Sequence, residues 1–363
     1  MLFMNIVEQK RPISSLYVLK AICAFLVVVI HFPMKYGYYF YPIVRIAVPC
    51  FFMISGYFLY SDNREKFTSN LKRALRKTLQ VTIWAYVFYL LVEALITLLV
   101  GNKISYGLGL DRIESCSWLT LIVAGPQIGV GHLWYLVAYV ETLLFVMIFG
   151  RSKFNIVIYW LIPIGLLLNL LLGKYSFLLP LNDPVIFDTT KEMLSRNFIT
   201  IGVPSFAIGM LIRKHQSRIL HIIPLSKCFI ICFISFIIST IEFAIITHYY
   251  GRDIAGDITI FTIPATLSLM IICLRYADFG KFTYLSTIGK KYSSDIYIYH
   301  VFAGKFILIS TEIVIYTLFG TYFKYMYAAP TVFVATLIFV IVWQKSVEWA
   351  RQRTSKIFTQ IAR

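Results

Sequence analysis

The chain has 363 residues, of which 59% are hydrophobic, 17% aromatic and only 14% charged, with a formal net charge of +17. Soluble domains carry about 25% charged residues, and apolar stretches recur along this whole chain, so the composition excludes a soluble globular enzyme and defines a polytopic membrane protein. Backbone in lipid must satisfy its own hydrogen bonds, which makes the spans helices, and the alternating faces of a membrane barrel are missing.

Residues 1–15 are polar and short, and no small-residue cleavage site follows the first apolar run, so that run is expected to stay as the first span. Ten spans are expected, at roughly 16–32, 42–60, 79–100, 132–149, 154–172, 198–212, 228–248, 258–274, 292–310 and 325–343. Residues 118–130 are apolar but broken by Gly125, Pro126 and Gly129, with Gly131 just beyond, which suits a re-entrant or interfacial segment. With the N-terminus inside, the inner segments hold 23 Lys and Arg and the outer loops hold 8. The asymmetry puts both termini in the cytoplasm. It also accounts for the net charge, because basic loops face an anionic leaflet and nucleic acid is not required. No internal repeat and no appended soluble domain is visible, so residues 1–363 read as one integral membrane domain, and any chemistry belongs to the spans and their loops.

In the first span, Lys20 and His31 bracket ten residues, mostly apolar. At about 100° per residue the eleven-residue step returns to nearly the same helix face, and the rise is about 16 Å, roughly half the hydrocarbon thickness. One face therefore offers a cation near one side of the membrane and an imidazole toward the other. A plainer reading has Lys20 snorkelling to the interface and His31 capping the helix before Pro33. In the second span, VPCFFMISGYFLY sets Ser55 and Gly56 among large aromatics, with Tyr57 following. Small residues there also serve close helix packing. The next loop contains RALR, and Arg73 and Arg76 lie on one face if that segment is helical, able to act together on an anionic group. Ordinary positive-inside decoration competes, since Lys72 and Lys77 stand alongside.

Farther along, GHLWYL places His132 and Trp134 where the re-entrant segment meets the fourth span, to bind a ligand by aromatic stacking or anchor at the interface. DIYIYH brings Asp295, Tyr299 and His300 into the ninth span, either as a structural hydrogen-bonded trio or as part of a site. Glu93, Glu141, Glu242 and Arg45 are costly in lipid and are expected to face the interior, with their pairing left open. Cys23, Cys50, Cys228, Cys232 and Cys273 sit in or beside apolar runs and read as small buried hydrophobes; Cys116 stands in a polar loop. His248 and Asp253 fit His-x-x-x-x-Asp, but on an outer loop, where the match is discounted. Neither a Walker-type phosphate loop nor a His-Glu-x-x-His metal pattern occurs.

Lys20-x10-His31, FFMISGYFL, Arg73-x-x-Arg76, GHLWYL and DIYIYH, in this order along nearly the whole chain, resemble the acyltransferase family 3 membrane O-acyltransferases. The chain departs from the family at Lys20, where many members have Arg, so a point charge replaces a bidentate fork. It also departs after Trp134, where YLVAYVE stands in place of a Trp-Ser-Leu-Ser-Val-Glu-like stretch, which weakens any role for Glu141. The resemblance implies an all-α bundle of about ten transmembrane helices in a bacterial inner or plasma membrane, with no metal. It implies transfer of an acyl group, most often acetyl, from cytoplasmic acyl-CoA to a hydroxyl of a surface or lipid-linked polysaccharide. Lys20, Arg73 and Arg76 would hold the CoA phosphates and His31 would act as general base, its ordinary pKa of about 6.5 suiting proton removal near neutrality. Ser55, Tyr57, His132, Trp134, Tyr299 and His300 are the candidate substrate-binding residues. A transporter for polysaccharide or lipid-linked sugar, forming no bond, is the alternative that ten spans with interior charges leave open.

Overall fold

The computed structural model describes residues 13–32, 34, 41–100, 131–150, 155–179, 194–250 and 258–361. Every regular element among them is helical. Between Lys20 and His31, α1 (Ser14–His31) carries only apolar side chains and one cysteine. Phe32 then leaves the helical region at φ −129° and ψ 73°, as a residue preceding proline is driven to do. His31 is therefore the last residue of the helix. A second apolar path follows as α2 (Tyr41–Val44) and α3 (Ala47–Leu59), separated by a turn at Arg45 and Ile46. Pro49 has no N–H to give the Arg45 carbonyl, which interrupts the helical ladder at the cation.

The basic loop expected after the second span is itself helical. It forms the first half of α4 (Arg64–Val100), a single helix of 37 residues that continues into the expected third span. After a 3₁₀ turn at Gly131–Leu133 come α5 (Trp134–Phe149) and α6 (Asn155–Leu172). A π-helical turn at Phe198–Gly202 leads into α7 (Val203–Lys214). Asn197 caps that turn, its Oδ1 accepting the N–H of Ile199 at 2.8 Å and of Thr200 at 3.1 Å. The short α8 (Gln216–Ile222) precedes α9 (Leu225–Tyr250) and α10 (Thr262–Arg275). The helical turn α11 (Tyr284–Thr287) and a π-helical turn at Ile288–Tyr292 then open α12 (Ser293–Ile361).

The stretches Ser14–His31, Tyr41–Leu59, Gly131–Phe149, Leu225–Tyr250 and Ala328–Thr354 are long and apolar enough to cross a membrane, and Ile156–Leu172 and Thr262–Arg275 are shorter apolar helices. On α9, Ile230, Phe233, Ile234, Ile237 and Ile241 point outward, whereas Ser235 and Ser239 are buried. That inverts the soluble pattern, and the described residues form the helical bundle of a multi-pass membrane protein.

The expected ninth and tenth spans fall on the two arms of the helical stretch Ser293–Ile361. It doubles back on itself: Gln344 donates to Asp295 at 2.5 Å, and the Phe339 ring lies 5.5 Å from Tyr299 and 5.8 Å from Phe302. These contacts pair the two arms antiparallel. A straight helix would hold Asp295 and Gln344 about 70 Å apart at 1.5 Å per residue.

Two crossings set the core. A Cβ on Gly56 would stand 2.0 Å from the Phe206 carbonyl oxygen, and one on Gly209 would stand 2.0 Å from that of Met53. So α3 and α7 touch backbone to backbone. Gly289 meets α1 in the same way, its added Cβ falling 1.7 Å from the Tyr17 oxygen. Cys23, Cys50, Cys228 and Cys232 are buried as free thiols.

Candidate active site

The bundle has two polar ends, and α1 connects them. At one end the Tyr57 hydroxyl donates to Gln216 Oε1 at 2.7 Å, and Arg213 donates to the same oxygen at 2.9 Å. Arg275 bonds the carbonyls of Leu220 and, at 2.8 Å, Ile223. Lys290 lies 5.8 Å from the Tyr17 ring centroid. Lys20 is half-buried here, one helix turn inward of Tyr17, and the cation within electrostatic reach of it is Lys77 of α4. Arg73 and Arg76 are exposed on the same half of α4, three residues apart on a continuous helix, and Arg73 donates to Asn70 Oδ1 at 2.9 Å. The arginine pair is therefore on one face, while Lys77, which the sequence offered only as a competing neighbour, is the α4 residue nearest in charge to Lys20.

At the other end, three histidines from three distant parts of the chain converge. The His31 ring centroid is 5.0 Å from that of His300 and 5.9 Å from that of His132, and the last two are 5.0 Å apart. His132 and His300 are buried, whereas His31 is exposed to a cavity of about 290 Å³. His31, His132 and Trp134 line that cavity together with Arg45, Tyr135, Arg196 and Tyr297. Arg45 reaches it from the α2–α3 turn, its guanidinium 4.4 Å from the Tyr41 ring centroid. Arg196 reaches it from the residue just before the Asn197 cap. Both guanidiniums act electrostatically on His31.

Backbone carbonyls fix the two buried histidines. His300 Nδ1 donates to the carbonyls of Tyr297 at 2.7 Å and Ile296 at 3.1 Å. His132 Nε2 donates to the Ile298 carbonyl at 3.1 Å, which also accepts the Tyr89 hydroxyl at 2.7 Å. The Tyr297 hydroxyl closes the arrangement by donating to the His132 carbonyl. Among the described residues, no set of three or more His, Cys, Asp or Glu has the arrangement of a metal site.

Four of the expected substrate-binding residues fall outside the cavity lining, although one of them, His300, adjoins it through the rings of His31 and His132. Tyr299 accepts the Trp84 indole N–H at 3.0 Å and packs edge-on to Phe88 and Phe339. Ser55 is hydrogen-bonded to Tyr139, and Tyr57 belongs to the basic end. The sequence reading missed Tyr297 and Arg196, and it gave Arg45 no role. Helical spacing carries a signal for Tyr297, since it lies three residues from His300 and shares its face, whereas Tyr299 is rotated about 100° away. Arg45 was flagged by its cost within a span. Arg196 adjoins a polar loop and gave no such signal. Glu242 is accounted for: it accepts the Ile260 N–H at 3.2 Å, hydrogen-bonds Tyr175, and lies near the buried Lys174, whose ammonium sits 4.6 Å from the Phe243 ring centroid. Glu141 is only partly accounted for, with one buried oxygen lacking a hydrogen-bond partner among the described residues. The side chain of Glu93, Cys116, Asp253 and the segment 118–130 lie outside the described residues.

The described residues thus form a helical membrane bundle with a basic end, a histidine exposed to a cavity at the other end and one helix joining them. The acyltransferase domain family matches residues 13–353, and the chain belongs to acyltransferase family 3, whose members carry out acyl transfer in membranes. No curated protein and no solved structure matches the chain. The transporter alternative gains no support from the family match.

Proposed function

We propose that the protein transfers an acyl group, most often acetyl, from cytoplasmic acyl-CoA to a hydroxyl of a cell-surface or lipid-linked polysaccharide, as a single ten-span unit in a bacterial cell membrane with both termini inside. The observation that carries this reading is α1 itself. It is one unbroken helix with Lys20 at the basic end and His31 at the cavity, about 16 Å apart along its axis. That interval is comparable to the reach of the pantetheine arm of CoA. Lys20, Arg73 and Arg76, joined by Lys77, would hold the phosphates of the donor. The thioester would then lie beside His31, and the acceptor hydroxyl would enter the cavity against Trp134 and Tyr135.

His31 removes the hydroxyl proton while the hydroxyl oxygen bonds to the thioester carbonyl carbon. The carbon–sulfur bond then breaks, and the CoA thiolate takes the proton from His31. Negative charge gathers meanwhile on the former carbonyl oxygen. Arg45 and Arg196 face the same cavity, and cations placed beside a developing oxyanion stabilise it. Purified protein in lipid nanodiscs, given acetyl-CoA and a glycan acceptor, is expected to release CoA and acetylate the glycan. His31→Ala is expected to lower kcat roughly 100-fold or more. Full activity in that variant would remove His31 from the mechanism.

A further inference from the structure

A general base presents a lone pair to its substrate, and a neutral imidazole has one lone pair and one N–H. The N–H of His31 needs an acceptor if the lone pair is to stay turned toward the hydroxyl. A carboxylate commonly fills that role for a histidine base, but the described lining of this cavity contains no Asp or Glu. It contains or adjoins two other histidines instead.

Both of those histidines are locked into one tautomer. A carbonyl oxygen can only accept, so His300 carries its proton on Nδ1, toward Tyr297 and Ile296. Its Nε2 is then a bare acceptor, and it is buried with no hydrogen-bond partner among the described residues. His132 repeats the arrangement with the nitrogens exchanged. Its Nε2–H is held by the Ile298 carbonyl, and its Nδ1 is buried and unpartnered among the described residues. Orphaned buried acceptors cost stability, and a native site keeps them when something is to be received there. The donor is at hand: the His31 ring lies 5.0 Å from that of His300, close enough for facing ring nitrogens to reach hydrogen-bond distance.

We propose that His300 is the positioning residue for His31. Its Nε2 accepts the His31 N–H, turning the His31 lone pair toward the acceptor hydroxyl. His132 completes the arrangement by offering a second bare nitrogen and no competing donor, so neither neighbouring imidazole can occupy that lone pair. When His31 takes the hydroxyl proton, its hydrogen bond to His300 becomes charge-assisted and strengthens. The proton that His31 gains goes on to the CoA thiolate, so the balance of the step requires none to pass to His300. The other charged groups facing His31 are Arg45 and Arg196, and Lys305 acts electrostatically on His132.

This rests on His31 being the base, and the test separates the two ideas. His300→Leu, which offers no acceptor, is expected to lower kcat roughly 10- to 100-fold with the KM for acetyl-CoA within about twofold. His300→Gln, whose amide oxygen can accept, is expected to recover most of that loss. Wild-type kcat in His300→Leu overturns the proposal, as does a His300→Gln variant with unchanged thermal midpoint and the same loss as His300→Leu. Side-chain ¹⁵N spectra of histidine-labelled protein provide a readout independent of turnover. They are expected to show Nδ1–H at His300, Nε2–H at His132 and a shifted His31 resonance in both His300 variants. The opposite tautomer at His300, or an unmoved His31 resonance, overturns the positioning role even if no acyl transfer is found. Expected spectra from a wild-type protein that leaves acetyl-CoA untouched would instead refute the proposed function alone.

Discussion

Tyr297 and Tyr299 differ by two positions in one helix and do different work. Tyr297 faces the cavity and bonds the His132 backbone, while Tyr299 faces the aromatic cluster of Trp84, Phe88 and Phe339. Removing the Tyr299 hydroxyl therefore costs one hydrogen bond, about 1 kcal/mol of stability. Tyr299→Phe is expected to keep transfer rates within about twofold of wild type, measured as CoA release. A larger loss would return Tyr299 to the substrate site. At the basic end, Arg73 is exposed and spends one hydrogen bond on Asn70, so its truncation should disturb the fold little. Arg73→Ala is expected to raise the KM for acyl-CoA about tenfold, the equivalent of about 1.4 kcal/mol, and to leave kcat nearly unchanged. An unchanged KM would count against the donor assignment. These residue roles were partly legible from composition and spacing. A lysine and a histidine on one face are a matter of local geometry, but the partners of each come from elsewhere in the chain.

Among the elements, the contact between α3 and α7 decides where the second span stands. Ser55-Gly56 stood among aromatics where small residues usually serve packing, and the structure shows that Gly56 packs, because the Phe206 carbonyl occupies the space of any side chain. Gly56→Val is expected to force the helices apart at a cost of about 3 kcal/mol, seen as a lower thermal midpoint and loss of the monodisperse peak in detergent. Gly131→Ala is the control. No atom of the described residues lies within 4 Å of a Cβ there, so its midpoint is expected to match wild type. The same scale applies at α12. Its two apolar runs suggested two spans, and the two arms of Ser293–Ile361 pack antiparallel, with helical backbone assigned along both. Hydropathy registers apolar length and does not register how a chain reverses. The RALR segment shows the converse case: a charged stretch outside the apolar window is still helix, since Lys, Arg, Leu and Ala are good helix formers.

For the whole molecule, the segregation of polar ends sets the direction of the proposed reaction. Cations of α4, α7, α10 and the turns before α12 gather where Lys20 lies, and the imidazoles gather at the far end of α1. Donor binding at the basic end should stabilise the fold by mass action. CoA at 100 times its Kd is expected to add about 2.7 kcal/mol, read as a saturable rise in thermal midpoint, and the rise should shrink in high salt. Pantetheine, which lacks the nucleotide and its phosphates, is expected to give a much smaller shift. Equal shifts from the two would separate the basic end from phosphate recognition.

The sequence by itself determined the solvent and the local periodicities. Only 14% of the residues are charged, so the chain belongs in a bilayer, where backbone hydrogen bonding dictates helices. An eleven-residue step places Lys20 and His31 on one face whatever surrounds them. Tertiary structure alone decided the rest. His31, His132 and His300 are roughly a hundred residues or more apart in the chain, and no local rule relates them. They meet because α1, the turn before α5 and the first arm of α12 converge, and because backbone carbonyls choose which nitrogen of each buried imidazole is left bare. Periodicity tells which face a residue occupies. Which residues share a cavity depends on how the helices cross, and that is set by packing summed over the whole bundle.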